Sequence, residues 1–386
     1  MNKKHQDPDA PIPVKFVTEF LIDLLAPSMH RKRALSMAQA SVGTMFARCL
    51  SVADVGRGLA CAYGMMPKHG IKQVDRLLSN AKVRLYDIFS SSIPWLIGTR
   101  RRIVVSLDWT EYAKDGHSRI ALNLITDHGR ATPLAWKTVR SSQLKDKRNS
   151  YEDDLLQVLA DHLPTGVKVT LLADRGFGDT KLYDVLEHDL GWDFVIRFRG
   201  NIRVRTQGGK ATTASKLVAK NGAARGFKDA YVTRSEHRVG VVTVRRKGMK
   251  AAWCMATTLA ADPNEVVDLY QRRFTCEETF RDEKDLRFGL GILATNIANP
   301  DRRDRLLAVL MLATIALTLL GAAGENLGCD RSLRSNTVKN KRTHSLFRQG
   351  REYMRGCARR VVAELRREFV NLINNHPRAH HTFATL

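Results

Sequence analysis

The uncharged run LLAVLMLATIALTLLGAAG, Leu306 to Gly324, would be apolar on every side as a helix, so the rest of the chain must surround it. A bilayer and a protein core are the two environments that can do so, and the run is barely long enough for the first. Two threonines, a late cluster of small residues and dense charge just ahead of it favour a helix buried against a sheet.

The sheet begins where the sequence texture changes, at Arg101. Ile103 to Leu107 is a short apolar run ending in Asp108, and Arg119 to Thr126 and Ala131 to Val139 flank the turn DHGR as a hairpin. A helix over Tyr151 to His162 precedes the apolar strand Val167 to Ala173, which ends in Asp174. A helix, Thr180 to Leu190, and a strand, Phe194 to Phe198, follow. Two apolar strands of an α/β segment thus each end in an aspartate, in the contexts SLDWT and LLADRGF. Open α/β sheets place ligand-binding groups at such strand ends, although an aspartate capping a loop is the plainer account of either one alone.

Residues 1–98 read as helical, with apolar periodicity in Phe16 to Leu25, Ala34 to Leu50, Val52 to Tyr63, Ile71 to Leu78 and Leu85 to Leu96. The turn GMMPKHG joins two of these in the manner of a helix-turn-helix, setting Lys68, Lys72 and Arg76 at fourfold spacing as contacts to DNA. A helical bundle with a basic outer face is the competing account.

A net charge of +24 exceeds what solubility requires and points to a polyanion. Nucleic acid is favoured over a membrane surface, since the opening MNKKHQDPDAPIP is a polar arm without an apolar core or lipidation motif. A cytoplasmic protein is expected. The cysteines Cys49, Cys61, Cys254, Cys276, Cys329 and Cys357 form no CxxC pair, which argues for free thiols and against structural zinc. His380 and His381 lack partner spacing and are expected to be inert. Charge concentrates in Arg197 to Lys250, with 15 Lys or Arg against 2 acids among glycine turns and alternating runs. This predicts a β-rich insertion lying against phosphates. The strand Ala252 to Thr258 follows.

Asp262, Pro263 and Glu265 mark the start of a helix running to about Arg287. Tyr270, Arg273, Glu277 and Lys284 fall within roughly 60° of arc on it, one polar stripe suited to phosphates or metal ions. The plain alternative is a solvated face laced by pairs such as Asp268 with Arg272 and Glu277 with Arg281. Asp108, Asp174 and Glu277 complete an Asp, Asp, Glu triad, three hard oxygen ligands of the kind a magnesium pair needs.

In these features the chain resembles the DDE transposases of bacterial insertion sequences, specifically the group with the Tyr-x2-Arg-x3-Glu-x6-Lys signature. Tyr270, Arg273, Glu277 and Lys284 meet that signature without a gap, and Asp108-Trp-Thr and Asp174-Arg-Gly-Phe match the family contexts. The similarity covers about Arg101 to Thr318. It implies an α/β, RNase H-like mixed sheet flanked by helices, with a β-rich insertion before the glutamate helix. The expected domains are a helical DNA-end-binding region (1–98), a catalytic domain (99–330, insertion at about 199–251) and a basic helical C-terminal region (331–386).

The resemblance also implies roles. Asp108, Asp174 and Glu277 would hold two Mg2+ ions, for which Mn2+ can substitute, while Tyr270, Arg273 and Lys284 would hold phosphates of the transposon end. Trp253 stands where hairpin-forming relatives carry a tryptophan that stacks on a flipped base, a core tryptophan being the alternative. Paired-end cutting implies a homodimer on DNA, with terminal inverted repeats and target DNA as partners. The C-terminal region, 13 Lys or Arg against 3 acids with an amphipathic stretch from Val361 to Ile373, is a candidate for dimerisation or DNA contact. The rival functions are a DNA-binding repressor derived from a transposase and a stand-alone metal-dependent nuclease.

Overall fold

A single ten-stranded mixed sheet, in the order β3-β2-β1-β4-β5-β10-β9-β8-β6-β7, organises the computed structural model. It describes residues 10–383 apart from 288, 336, 338–341, 357 and 358. Most of the N-terminal arm (1–9) and Cys357 therefore lie outside the described residues.

The strands are β1 (Arg102–Tyr112), β2 (His117–Leu124), β3 (Thr132–Arg140), β4 (Lys168–Ala173), β5 (Asp193–Phe198), β6 (Arg203–Arg205), β7 (Thr212–Thr213), β8 (Arg225–Val232), β9 (His237–Val244) and β10 (Trp253–Thr257). The first three form an antiparallel meander, and β1, β4 and β5 run parallel. Parallel neighbours need a crossover, which α6 (Arg148–His162) supplies between β3 and β4 and α7 (Thr180–Asp184) between β4 and β5. This is the expected RNase H-like core, a mixed sheet flanked by helices.

Two boundaries differ from expectation. β1 does not stop before Asp108 but continues to Tyr112, because β2 pairs with it along that whole length. The helix expected over Thr180 to Leu190 is α-helical only to Asp184 and then widens into a π-turn over Val185–Asp189. The basic insertion adds β6 to β9 to the far side of β10, so it continues the same sheet.

The helices α1 (Val14–Leu25), α2 (Arg31–Phe46), α3 (Val52–Tyr63), α4 (Pro67–Ser79) and α5 (Leu85–Ile97) precede the sheet. The second ends at Phe46, short of the expected Leu50. Gly64 at φ 64° closes α3 in the left-handed region. A Cβ on Gly70 would collide with the carbonyl oxygen of Gly56, so α3 and α4 pack backbone to backbone. Val74, Leu77 and Leu78 point inward from α4, leaving Lys68, Lys72 and Arg76 exposed.

The uncharged run forms α10 (Pro300–Asn326), capped by Asn299, whose side chain accepts the Asp301 and Arg302 N–H groups. Among the described residues it is the one helix long and apolar enough to cross a bilayer, and 94% of its most apolar window is buried inside the protein. Three later helices help cover it: α11 (Leu346–Arg355), α12 (Arg359–Asn374) and α13 (His376–Thr382). Gly321 and Gly350 bring α10 and α11 into backbone contact. The apolar face of the Val361 to Ile373 stretch, with Leu365, Phe369 and Leu372 buried, is thus spent within the protein and is not a free dimerisation surface. His380 packs edge-on against Trp95 at 5.3 Å, a structural contact where no role was expected. Cys49, Cys61, Cys254, Cys276 and Cys329 are free thiols.

Candidate catalytic centre

Strand register brings the first two acids together. β1 and β4 stay paired up to Leu107 opposite Ala173, and the next residue on each strand is Asp108 and Asp174. β4 ends there because the Asp174 carboxylate accepts the Gly176 N–H at 2.7 Å and turns the chain. β1 is held straight by β2, so Asp108 sits within an unbroken strand.

The third acid arrives on a helix that is not continuous. Asp262 caps α8 (Pro263–Gln271) by accepting the Asn264 N–H at 2.8 Å, as expected. The expected helix to Arg287 then breaks, and α9 spans Phe274–Lys284. Across the junction the bonds tighten to i→i−3: Arg273 N–H donates to Tyr270 O, and Cys276 N–H to Arg273 O, both at 3.0 Å. No proline or glycine causes this. Arg273, at the junction, is tied instead to β1, its Nη1 donating to Asp108 Oδ2 at 3.0 Å.

The polar stripe therefore faces the strand ends. Tyr270 and Arg273 are 1% and 5% exposed, while the Glu277 side chain is half exposed. Arg273 Nη2 donates to Glu277 Oε1 at 2.6 Å, so one guanidinium bridges Asp108 and Glu277. Lys284 Nζ donates to Thr110 Oγ1 at 2.6 Å, two residues beyond Asp108 on the same strand. The surface pairs Asp268 with Arg272 and Glu277 with Arg281 do not form: Asp268 meets Arg246 and Arg281 meets Glu278.

The electrostatics describe one coupled cluster. Burial pushes the Asp108 carboxyl up, Arg273 opposes that, and the charges of Asp174 and Glu277 push it further up. Burial likewise raises the Tyr270 phenol, with Arg273 and Arg197 opposing. Lys284 is lowered by burial and by Arg119.

Oxygen donors of this kind suit a hard divalent cation, and a cation among them would relieve the repulsion felt by Asp108. Their present disposition is not a finished cage: among the described residues no three Asp, Glu, His or Cys groups are gathered to hold a metal ion. Arg273 lies between Asp108 and Glu277 and donates to both.

Trp253 is partly buried on β10. Its ring lies 5.1 Å from Tyr270 and 5.8 Å from Phe274, whose own side chain is exposed. Lys72 and Arg76 line a groove with Lys32, Arg33 and His69, beginning one turn of α4 beyond Lys68.

Sequence reasoning missed five contributors: Cys276 and the pairs Arg119–Glu283 and Arg148–Glu152. Cys276 donates from Sγ to Asp108 Oδ2 at 3.4 Å; its place three residues after Arg273, on the same helix face, was the available signal. Arg119 pairs with Glu283 at 2.7 Å, both buried, tying α9 to β2; the signal was a lone charge in the apolar strand RIALNL. Arg148 and Glu152, on α6, pair at 3.2 Å, and their i,i+4 spacing was the available signal.

Beyond its own geometry, the chain matches a family model described as a transposase DDE domain over residues 102–316, from the start of β1 into α10. No curated protein matches it. The match takes in more than half of the chain and includes Asp108, Asp174 and the helix that carries Glu277, and on that ground the chain belongs to the DDE transposase family.

Proposed function

We propose that the protein is a DNA transposase of the Tyr-x2-Arg-x3-Glu-x6-Lys group, cutting element ends and joining their 3′ termini to target DNA. The observation that carries this reading is the bridge from Arg273 to Asp108 and Glu277, with Asp174 one strand away: the signature residues and the triad occupy one place.

In this reading Asp108, Asp174 and Glu277 would hold two Mg2+ ions, which when bound would activate a water or a DNA 3′ hydroxyl as the nucleophile and stabilise the departing oxygen. Asp108 lies within β1 and Asp174 at the end of β4, and Glu277 is the half-exposed member, on α9. Arg273 and Lys284 present cations for DNA phosphates, with the Tyr270 phenol beside Arg273. A phosphate gives the Arg273 guanidinium an alternative to its two carboxylates. Trp253 serves as a base-stacking residue, so Trp253→Ala should slow a hairpin step while sparing the first nick.

The helical region 1–98 binds element ends, with Lys68, Lys72 and Arg76 on DNA, and the basic insertion tracks phosphates. A homodimer on paired ends completes the assembly.

The test is a Mg2+-dependent cut at DNA flanking the coding sequence, followed by joining to a second duplex. Cutting and joining are the expected results. Binding without cutting would make the protein a repressor, and cutting without joining a nuclease.

A further inference from the structure

Trp109 follows Asp108, and successive strand residues point to opposite faces, so its indole lies on the α6 side of the sheet, away from α9. There its Nε1 donates to Glu152 Oε1 at 2.8 Å, and Arg148 Nε donates to the same oxygen at 3.2 Å. The Arg148 guanidinium carbon is 5.2 Å from the Trp109 ring centre and 5.9 Å from that of Phe177. Phe177 stands three residues after Asp174. One arginine thus rests against the rings that flank both strand-end aspartates.

Its anchorage is unlike that of a surface pair. Glu152 is buried, and its carboxylate is shared with the indole, whereas the Arg148 side chain is 47% exposed. Only Nε of Arg148 donates a hydrogen bond among the described residues, which leaves both terminal nitrogens. A guanidinium fixed at Nε, lying against aromatic rings and offering two coplanar donors matches phosphate oxygens bidentately. The surroundings suit an anion: Lys145, Lys147 and Arg175 are all exposed nearby in sequence on the same two loops. The loop before α6 also holds Asp146 at φ 57°, a conformation that non-glycine residues adopt at a cost.

We propose that Arg148 is a phosphate-binding residue of the catalytic cleft, seated by Glu152, Trp109 and Phe177 on the opposite sheet face from Arg273. The inference rests on the transposase reading and deepens it. Joining one DNA to another at a single pair of aspartates requires two phosphate backbones to be held there, and Arg273 and Lys284 serve one side only.

The experiment compares the full-length protein with Arg148→Gln and Arg148→Lys on a duplex carrying the DNA that flanks the coding sequence. Binding is measured in EDTA from about 50 to 200 mM salt, where each lost phosphate contact lowers the log–log slope by about 0.9. Arg148→Gln should lose about that much and Arg148→Lys should keep the slope; Arg148→Gln lowers the melting temperature because buried Glu152 loses a partner, with both variants still folded at the assay temperature. Cutting and joining in Mg2+ then assign the strand: a fall in cutting by Arg148→Gln puts the phosphate on the element end, and a fall in joining of precut ends alone puts it on the target. Arg148→Gln with wild-type slope, cutting and joining would overturn the proposal. Wild-type protein that binds but never cuts would defeat the transposase reading, and the slope would still decide whether Arg148 meets phosphate.

Discussion

The two ends of the one sheet treat charge in opposite ways. Around β1 and β4, charged groups are buried and answered by partners: Arg119 meets Glu283, and Arg273 meets Asp108 and Glu277. Around β8 and β9, Arg205 meets Glu236 and Arg238 meets Asp229 at the surface, and both acids of the insertion are then spent. Its other cations face solvent or backbone carbonyls, apart from Arg246, which reaches Asp268. A buried charge must be matched by the protein itself, whereas an exposed excess of one sign is matched by whatever the protein binds. The end around β1 and β4 is therefore closed electrostatically, and the insertion is open.

The largest effect should appear at the closed end. Arg119→Met leaves Glu283 buried without its partner and should cost about 3–5 kcal/mol in denaturant unfolding. The double variant Arg119→Met/Glu283→Met should recover most of that loss, because the desolvation of both charges is removed together. At the open end, Arg205→Met should leave the melting temperature unchanged; equal losses at both sites would erase the contrast.

Next in size is the open end's response to salt. If six or more phosphates are engaged, DNA affinity should fall by about 10³-fold or more between 50 and 200 mM salt. Replacing Arg245, Lys247 and Lys250 by glutamine should flatten that dependence without altering folding. Affinity that is flat with salt in the wild-type protein would remove the insertion's proposed role.

Smaller effects should follow pH, again from the closed end. Burial pushes His128 down to about 3, so the unfolded chain takes up its proton first. The stability it allows is intact above about pH 6.5 and is lost as pH falls from there toward 3. Burial pushes Asp304 the other way, up to about 7, despite the Thr138 hydrogen bond. The folded state then holds that proton longer, and stability declines as pH rises from about 4 through 7. Melting temperatures across this range should fall more gently in acid for His128→Gln, and Asp304→Asn should flatten the neutral limb.

Much of this contrast was legible in the sequence, because it rests on residue type and spacing. The strand-end aspartates, the Asp262 cap and the charge excess of the insertion are all local features, and so was the need to surround Leu306 to Gly324. What covers that run was not legible, since Gly321 and Gly350 act only once α10 and α11 meet. The break after Gln271 was hidden for the same reason: its cause is Arg273 reaching Asp108, a contact across 165 positions. Reading the helix as continuous still placed Tyr270, Arg273, Glu277 and Lys284 together as one polar stripe, but it gave no sign of which of them the fold would bury. The structure buries two of the four.

The central claim is that Asp108, Asp174 and Glu277 act as one metal-dependent site that is separable from the DNA-binding surface. Glu277→Gln tests it most directly, since it keeps the size and helix preference of the residue and removes its charge. On DNA flanking the coding sequence, the account predicts that this variant binds like wild type and cuts nothing in Mg2+, with Asp108→Asn and Asp174→Asn behaving alike and no double variant much worse than a single one. Full cutting by Glu277→Gln would contradict it.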